Sequence, residues 1–380
     1  MIYLDNNATT HPAPAVFEAM KPFLTASFGN PSSAHAAGRE VRNAIAAARE
    51  SVAALLGAAV PEGILITSGG TERHNWAIGG TVQANPDKKH IITTRVEHEA
   101  VRKLCERLKT QGFRVTWLET DGQGSIDLGE LRDSLGNDTA IVSIMLANNE
   151  TGILFPVEQA AEIVKEHSDA LMHVDGVNAA GKVPINLKNG QIDLFSISAH
   201  KFHGPKGIGA LYIREGVQLP SIFVGGGQEK GQRAGTEAVH QIAGLGAAAE
   251  FVKDLAAMEN VRELRDVLES GILRQIPNAF LNGTSDVDKR LPNTSSISFE
   301  NTNGEMILAR LDDLGVCVST GSACNSDDHT ASPVLQAMNV PYSRAMGAIR
   351  FSLGRFTTRE EVEIVIRELP AIIESIRKFG

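Results

Sequence analysis

The sequence of 380 residues has little of several features that mark whole classes of protein. Its three cysteines, Cys105, Cys317 and Cys324, are too few and too irregularly spaced for a disulfide framework or a zinc site. Basic residues are not in excess: the formal net charge is -9, which argues against binding of nucleic acid through a basic face. No apolar run approaches the length of a membrane span. We therefore expect no metal centre, no stable nucleic-acid partner and no membrane partner.

The composition that remains is that of an ordinary globular chain. Hydrophobic residues make up 42% and charged residues 21% of the sequence, which is typical of soluble proteins. The first residues, from Met1 to Asn6, lack the cationic stretch and apolar run of a secretory signal. These features predict a cytoplasmic protein. Its length exceeds one ordinary core, so two domains are expected.

Short β-like runs alternate with helical patterns through the first two thirds of the chain. This alternation predicts an α/β fold, a large domain with a mostly parallel sheet flanked by helices. Ligands in such folds bind beyond the carboxyl ends of the strands. The predicted strands are 63–67, 90–94, 114–118, 140–145, 171–175, 192–198 and 208–213.

The pattern changes after about Gly244, where a long helical stretch, roughly 241–276, precedes short strands and further helices. We expect a smaller α+β C-terminal domain there. The predicted boundaries are 12–255 for the large domain, with 1–11 and 256–380 forming the small domain.

Lys201 follows the apolar run 194–197 and precedes a turn of Gly, Pro and His. A lysine at the end of a buried strand is costly unless its charge is used or its pKa is lowered. Catalytic Schiff-base lysines are made in this way. A lysine that simply leaves the strand for solvent is the plainer interpretation of this segment alone.

Other predicted strands also end in polar residues. Gly70 and Thr71 begin a helical pattern after a glycine-rich turn, which is typical of an anion site. His98 could stack on a planar cofactor or lie on the surface. Asn149 follows a further strand, where it could also simply make a turn, and Asp175 could cap a helix or hold a pyridinium proton.

The strand ends together are more informative than any one of them. An anion site, a flat ring, an aspartate and a lysine are what pyridoxal 5′-phosphate needs from a protein. This combination favours a functional Lys201 and a cofactor site at one edge of the sheet.

Two further residues suggest what such a site acts on. Cys324 lies in a polar stretch without apolar periodicity, so we expect an exposed loop thiol, whereas Cys317 and Cys105 fall in apolar patterns. An unperturbed thiol is only about 3% thiolate at pH 7, so Cys324 needs a deprotonating neighbour such as His98. Arg350 lies in a short apolar stretch and could bind a substrate carboxylate or form a structural ion pair.

Ten ordered motifs along nearly the whole chain resemble those of the NifS/IscS-type cysteine desulfurases. These are pyridoxal-phosphate enzymes of fold type I in the class-V aminotransferase group. The motifs are Tyr3-Leu-Asp-Asn-Asn-Ala-Thr-Thr10, 28–33, Thr67-Ser-Gly-Gly-Thr-Glu72, Glu97-His98, Asn148-Asn-Glu150, His173-Val-Asp175, Ser198-Ala-His-Lys201, Gly204-Pro-Lys-Gly207, Arg233-Ala-Gly-Thr236 and Gly321-Ser-Ala-Cys324.

The resemblance implies a role for each matching residue. Lys201 would hold the cofactor and move protons, and Cys324 would take the sulfur of L-cysteine as a persulfide, releasing L-alanine. The persulfide would pass to a protein acceptor for iron–sulfur cluster assembly or for thiolation of tRNA or cofactors. The other implied roles are phosphate binding for Gly70, Thr71, Ser198 and His200, ring stacking and acid/base chemistry for His98, the ring nitrogen for Asp175, the phenolic oxygen for Asn178, the substrate carboxylate for Asn149 and Arg350, and, across a homodimer, the neighbouring phosphate for Thr236.

The sequence departs from the family pattern in three places. Asn178 stands where the family usually has Gln, one methylene longer, so we expect a weaker or water-mediated contact with the cofactor. Arg73 and His74 replace small or polar residues and are expected to add positive charge at the entrance of the site. The Cys324 loop carries the additional charged residues 327–329.

Alternative functions remain open. A selenocysteine lyase would share the fold and the cofactor, and so would another class-V aminotransferase-like enzyme, although transamination has no use for a loop thiol. A non-catalytic binding module would have no use for the complete cofactor set.

Overall fold

The computed structural model describes residues 1–320 and 331–379. Within these ranges the strands are β1 (Ile2–Tyr3), β2 (Ile64–Thr67), β3 (His90–Thr94), β4 (Arg114–Leu118), β5 (Thr139–Met145), β6 (Leu171–Asp175), β7 (Leu194–Ser198), β8 (Gly209–Ile213), β9 (Ala279–Leu281), β10 (Thr294–Phe299), β11 (Val316–Cys317) and β12 (Ala348–Ser352).

The α-helices of the described residues connect and cover these strands. They are α1 (Pro14–Met20), α2 (Pro22–Thr25), α3 (Ala36–Leu55), α4 (Gly70–His74), α5 (Gly80–Ala84), α6 (Glu99–Thr110), α7 (Leu128–Ser134), α8 (Val157–His167), α9 (Val239–Val252), α10 (Ala256–Gln275), α11 (Gly304–Asp313), α12 (Pro333–Ala337), α13 (Tyr342–Ala345) and α14 (Arg359–Phe379). A π-helical segment, Asn75–Gly79, joins α4 to α5.

Seven strands form the central sheet, in the order β2-β8-β7-β6-β5-β3-β4. The pairs from β7 through β6, β5 and β3 to β4 are parallel, whereas β8 runs antiparallel to both of its neighbours. The predicted α/β fold with a mostly parallel, helix-flanked sheet is therefore confirmed.

Both faces of the central sheet are buried. Along β2, Ile64 and Ile66 join one hydrophobic cluster with residues of α3 and α9, whereas Leu65 joins a second cluster with Trp76 and residues of α6. Successive side chains of a strand point to opposite faces, so this alternation shows helices on either side. The parallel strands are hydrophobic on both faces for that reason.

A further hydrophobic cluster gathers around a three-stranded antiparallel sheet, β12-β10-β9, and the pair β1-β11. Its residues come from positions 2–4 and 258–376, packed between α10 and α14. The predicted long helix over 241–276 is two helices, since α9 ends at Val252 and the Asp254 carboxylate accepts a hydrogen bond from the Ala256 N–H at 2.8 Å. The domain boundaries stay a prediction.

Among the helices of the described residues, none combines the length and the apolar character that crossing a membrane requires.

Candidate active site

A cavity of about 180 Å³ opens at the carboxyl ends of the central strands. Parallel strands present their carboxyl ends at one edge, so the residues that follow them meet there. The cavity is lined by Gly70, Thr71, His74, His98, Met145, Ala147, Asn149, Asp175, Val177, Asn178, Ser198, His200 and Lys201. Most of the residues that the sequence nominates for a cofactor site therefore surround one space.

Lys201 is carried into the cavity by a single 3-10 turn, Ala199–Lys201, directly after β7. Its Nζ donates hydrogen bonds to the backbone carbonyls of Asn7 and Ala8, the latter at 3.1 Å. The amine thus contacts the N-terminal segment, and the residue is half-buried. It is placed where a lysine can react with a bound aldehyde.

Asp175 ends β6 at the base of the cavity and is buried. Its Oδ1 accepts a hydrogen bond from the Val177 N–H at 2.9 Å, and its Oδ2 lies 3.2 Å from His74 Nε2. Burial alone would raise the pKa of this carboxyl, but His74, His98 and the Val177 N–H together hold the pKa well below its ordinary value. The carboxylate is therefore ionised and able to pair with a protonated ring nitrogen.

Arg73 and His74 do not lie at the entrance, so that prediction is wrong. The two residues are 0% and 2% exposed because α4 turns both inward, and His74 is among the residues that line the cavity. Arg73 packs so closely over Gly209 that a Cβ there would lie 1.9 Å from Nη1. Burial lowers the pKa of Arg73 to about 9, against the opposing effect of Asp175. The positive charge of Arg73 is therefore buried near the Asp175 carboxylate and not at the entrance.

His98 is the N-cap of α6, and its Nδ1 accepts a hydrogen bond from the Ala100 N–H at 3.1 Å. An Nδ1 that accepts leaves the proton of the neutral ring on Nε2. Desolvation by the surrounding protein lowers the pKa of His98 and outweighs the opposing charge of Asp175, although the residue is exposed on the cavity side. The ring is thus held in one tautomer at the cavity wall.

One end of the cavity has the features of an anion site. Gly70 and Thr71 form the first turn of α4, where backbone N–H groups have no partner within the helix. Ser198 and His200 approach from the end of β7, and His200 Nδ1 lies 3.3 Å from Thr9 Oγ1. Burial, together with Lys201 and Arg73, lowers the pKa of His200 to about 4, so the ring is neutral near pH 7.

Two neighbouring asparagines after β5, Asn148 and Asn149, make different contacts. Asn148 makes the turn: its buried Oδ1 accepts from the N–H groups of Glu150 and Thr151. Asn149 lines the cavity, and its backbone carbonyl accepts a hydrogen bond from Arg350 Nη1 at 3.0 Å. Arg350, on β12, also contacts Asp5 through Nη2 at 2.6 Å. The guanidinium is thus fixed beside the cavity, while its Nε has no partner among the described residues.

Sequence reasoning missed two buried residues at the cavity, Asn7 and Lys182. Lys182 Nζ donates to Asn7 Oδ1 and to Asn178 Oδ1, each at 2.9 Å. Asn7 lies in the first of the ten motifs, but no strand end drew attention to its side chain. Lys182 follows the Asp175 turn by seven residues, a spacing that carries no periodic signal.

The remaining predicted residues lie outside this cavity or outside the described chain. Thr236 is exposed on the loop before α9 and does not line the cavity of its own chain. Cys324 and the charged positions 327–329 lie outside the described residues. Cys105 is buried in α6, as expected, and burial raises the pKa of its thiol to about 12. Cys317 is half-buried.

The donor set of the cavity fits pyridoxal 5′-phosphate. Asp175 offers an ionised carboxylate for the ring nitrogen. Asn178 lines the cavity and is 5% exposed, and its buried Nδ2 has no hydrogen-bond partner among the described residues, so this residue has a donor to offer. The first turn of α4 offers backbone N–H groups that would bind a phosphate. These groups match the nitrogen, the phenolic oxygen and the phosphate of the cofactor.

Comparisons with known proteins agree with this geometry. The family model described as aminotransferase class-V matches residues 2–365. A cysteine desulfurase of Trichormus azollae is 51% identical over 382 residues, covering 100% of this chain and 94% of the relative. A solved NifS-like protein superposes with a TM-score of 0.92 at 39% identity, covering 98% of this chain and 99% of the other. The structure of SspA in complex with cysteine gives a TM-score of 0.83 at 34% identity, covering 94% and 100% of the two chains.

Proposed function

The chain belongs to the class-V aminotransferase family of pyridoxal-phosphate enzymes, and from this premise we propose in detail how it acts as a cysteine desulfurase. The observation that carries the proposal is the convergence of Lys201, Asp175 and His98 on one cavity. The substrate is L-cysteine, the products are L-alanine and a persulfide, and the chemistry requires a nucleophilic thiol.

Each cavity residue has a place against the bound cofactor. Asp175 would hold the ring nitrogen, His98 would cover the ring, and Lys201 would bind the aldehyde carbon. The phosphate would lie against Gly70, Thr71, Ser198 and His200, and the phenolic oxygen against Asn178. When bound, the cofactor withdraws electron density from the substrate's Cα.

The chain's own groups then carry the protons and the sulfur. Lys201 Nζ takes and returns protons near the substrate's Cα and Cβ. Asn149 and Arg350 would orient the substrate carboxylate, since a guanidinium binds a carboxylate in a planar, two-bond arrangement.

Sulfur transfer falls to Cys324. The thiolate of Cys324 attacks the substrate sulfur, so a sulfur–sulfur bond forms as the carbon–sulfur bond breaks. The electron pair of the broken bond stays with the substrate carbon, which takes up a proton and leaves as part of alanine. His98, whose neutral ring carries its proton on Nε2, would exchange protons with the thiol or the substrate.

The test uses purified enzyme with Cys324→Ala and, as a matched control, Cys317→Ala. Cys324→Ala should keep the cofactor's visible band, and that band should still change when cysteine is added. Alanine and sulfide should fall to background in this variant, whereas Cys317→Ala should retain turnover. Sustained alanine production by Cys324→Ala would place the nucleophile elsewhere.

In a homodimer, the exposed loop that carries Thr236 would complete the phosphate site of the neighbouring subunit. That loop is tied to its own chain by Glu72, whose carboxylate pairs with Arg233 at 2.9 Å. Exposed Phe28 and Val224, 83% and 96% accessible in the single chain, give a dimer apolar surface to bury. A mixture of Lys201→Ala and Thr236→Ala subunits should regain activity if sites are shared, whereas unmixed variants should not.

The persulfide leaves the enzyme on a protein acceptor, in the cytoplasm, for iron–sulfur cluster assembly or for thiolation of tRNA or cofactors. Transfer of labelled sulfur from the enzyme to purified candidate acceptors distinguishes these routes. Turnover with selenocysteine measured beside cysteine tests the selenocysteine lyase alternative, which would show activity with selenocysteine alone.

A further inference from the structure

Lys182 is buried beside the cavity and has no carboxylate as its hydrogen-bond partner among the described residues. It is 8% exposed, and both of the acceptors that its Nζ contacts are side-chain amide oxygens, Asn7 Oδ1 and Asn178 Oδ1. Burial, then the charges of Lys201 and Arg350, lower the pKa of Lys182 well below its ordinary value. A buried amine kept without a counter-ion is costly, so its contacts call for a functional explanation.

The direction of the hydrogen bonds is fixed from the far side of the network. Asn7 Nδ2 donates to Thr294 Oγ1 at 2.8 Å and to the backbone carbonyl of Asn149 at 3.1 Å, so Asn7 Oδ1 must accept. This oxygen accepts from Lys182 and also from Asn293 Nδ2 at 3.1 Å. Lys182 therefore donates, whether it carries three protons or two.

The same amine orients Asn178. With Oδ1 accepting from Lys182, Nδ2 is the polar atom of Asn178 that has no partner among the described residues, and Asn178 lines the cavity. An amide turned the other way would present an oxygen to the cavity and repel an anionic acceptor. Only the observed orientation offers a donor.

We propose that Lys182 is a positioning residue that fixes the Asn178 amide with its N–H groups toward the phenolic oxygen of the cofactor. The proposal rests on the cofactor site described above. It explains how asparagine, with its short and otherwise rotatable amide, serves at this position: the donor is oriented before the cofactor arrives. Pre-organised donors of this kind act without the cost of reorientation.

The consequence is measurable in the spectrum of the loaded enzyme. A donor to the phenolic oxygen stabilises the form of the Lys201-bound cofactor that has lost its proton, and so lowers the pH midpoint of the visible band. A neutral hydrogen bond contributes about 0.5–1.5 kcal/mol, equivalent to a shift of up to about one pH unit. Lys182→Met should therefore raise the midpoint by up to about one unit.

A double-mutant cycle tests whether the effect passes through Asn178. Spectrophotometric pH titrations compare wild type, Lys182→Met, Asn178→Ala and the double variant, each loaded with cofactor. Both single variants should raise the midpoint, and the double variant should shift it no further than Asn178→Ala does. Additive shifts would mean that Lys182 acts by its charge or through Asn7, and no shift in Lys182→Met would show no role; either result overturns the proposal.

Two controls keep the test independent of folding and of sulfur chemistry. Lys165→Met removes a half-buried lysine that pairs with Asp193, away from the cavity, and should leave the midpoint unchanged. Should Lys182→Met fail to fold, the Asn178 side-chain amide signal of the wild type, identified by its loss in Asn178→Ala, serves instead. This signal should move on cofactor binding, and an unchanged signal overturns the proposal. Because the readout precedes sulfur transfer, failure of the Cys324 assignment would leave these results intact.

Discussion

Replacing His74 with phenylalanine should destabilise the cofactor-free protein by about 3 kcal/mol or more, because the buried Asp175 carboxylate loses a hydrogen-bond donor. The ring Nε2 lies 3.2 Å from Asp175 Oδ2, and both side chains are buried. Phenylalanine fills a similar volume, so the loss comes from the carboxylate and not from a cavity. Asp175 would retain only the Val177 N–H among the partners described here.

Bound cofactor should reduce the loss of stability in His74→Phe. Its ring nitrogen offers Asp175 a replacement donor, so the loaded variant should lose roughly the 1.5–3 kcal/mol of one charged hydrogen bond. Urea unfolding at pH 7 with and without cofactor measures the difference. Trp76 is buried two residues beyond His74, and its fluorescence reports unfolding of this part of the chain.

The pH dependence of the free energy of unfolding gives a second, independent test. Asp175 has its folded-state pKa lowered, so its stabilisation is present above the unfolded-state value of about 3.9 and is lost as the pH falls toward the folded-state value. The difference in stability between wild type and His74→Phe should therefore be full at pH 7 and narrow below about pH 4.

His167→Phe, on the surface of α8, is the matched control and should change stability by less than about 0.5 kcal/mol. A double variant, His74→Phe with Asp175→Leu, should lose less than the sum of its parts, because two apolar residues leave no unpaired charge. If His74→Phe behaves like the control, or if the double variant is additive, the contact does not stabilise Asp175 and this reasoning is refuted.

Two further variants test Lys201 in the cavity and the buried Glu97 near Asp175. Lys201→Ala should lose the visible absorption band on dialysis, because the covalent link to the cofactor is gone; a band that survives dialysis would contradict the role of Lys201. Burial, with a contribution from Asp175, raises the pKa of Glu97 to about 8. The folded protein therefore keeps this proton at pH 7, whereas the unfolded chain releases it. The free energy of unfolding should fall as the pH rises from about 4.5 to 8. In Glu97→Gln the side chain does not titrate, so its free energy of unfolding should rise relative to that of the wild type by up to about 1.4 kcal/mol per pH unit over this range. Urea unfolding midpoints at pH 5 and pH 8 measure this difference. An equal difference at both pH values would show that Glu97 is ionised.

Strand ends made most of the site predictable from the sequence. Asp175 ends a strand whose apolar run is visible, Lys201 and Asn149 follow such strands, and parallel strands bring these residues to one edge. The orientation of short helices was not predictable in this way. Arg73 and His74 follow a glycine-rich turn, and only the packing of α4 on the sheet decides that they face inward.

The hydrogen-bonded network behind the cavity was also beyond prediction. Asn7 and Lys182 are 175 residues apart in the chain, and no local pattern relates them. Buried polar residues of this kind do not change the apolar periodicity that predicts helices and strands. Their partners can therefore be identified only from the tertiary contacts. The break between α9 and α10 was missed because Lys253 and Asp254 resemble ordinary helix-surface residues.

The N-terminal segment makes completion of the site depend on contacts that are distant in sequence. Ile2 and Tyr3 pair with Val316 and Cys317, and the Asn6 N–H donates to the carbonyl of Ser352 at 3.0 Å. Asn7, which binds both Lys182 and Lys201, is thus held in place through contacts such as that of Asn6 with Ser352, 346 residues apart in the sequence. Contacts of such large sequence separation carry a high loop-closure entropy and form slowly. The cavity is therefore complete only when distant parts of the chain have packed together, so cofactor binding should report completed tertiary folding and not the folding of the central sheet alone.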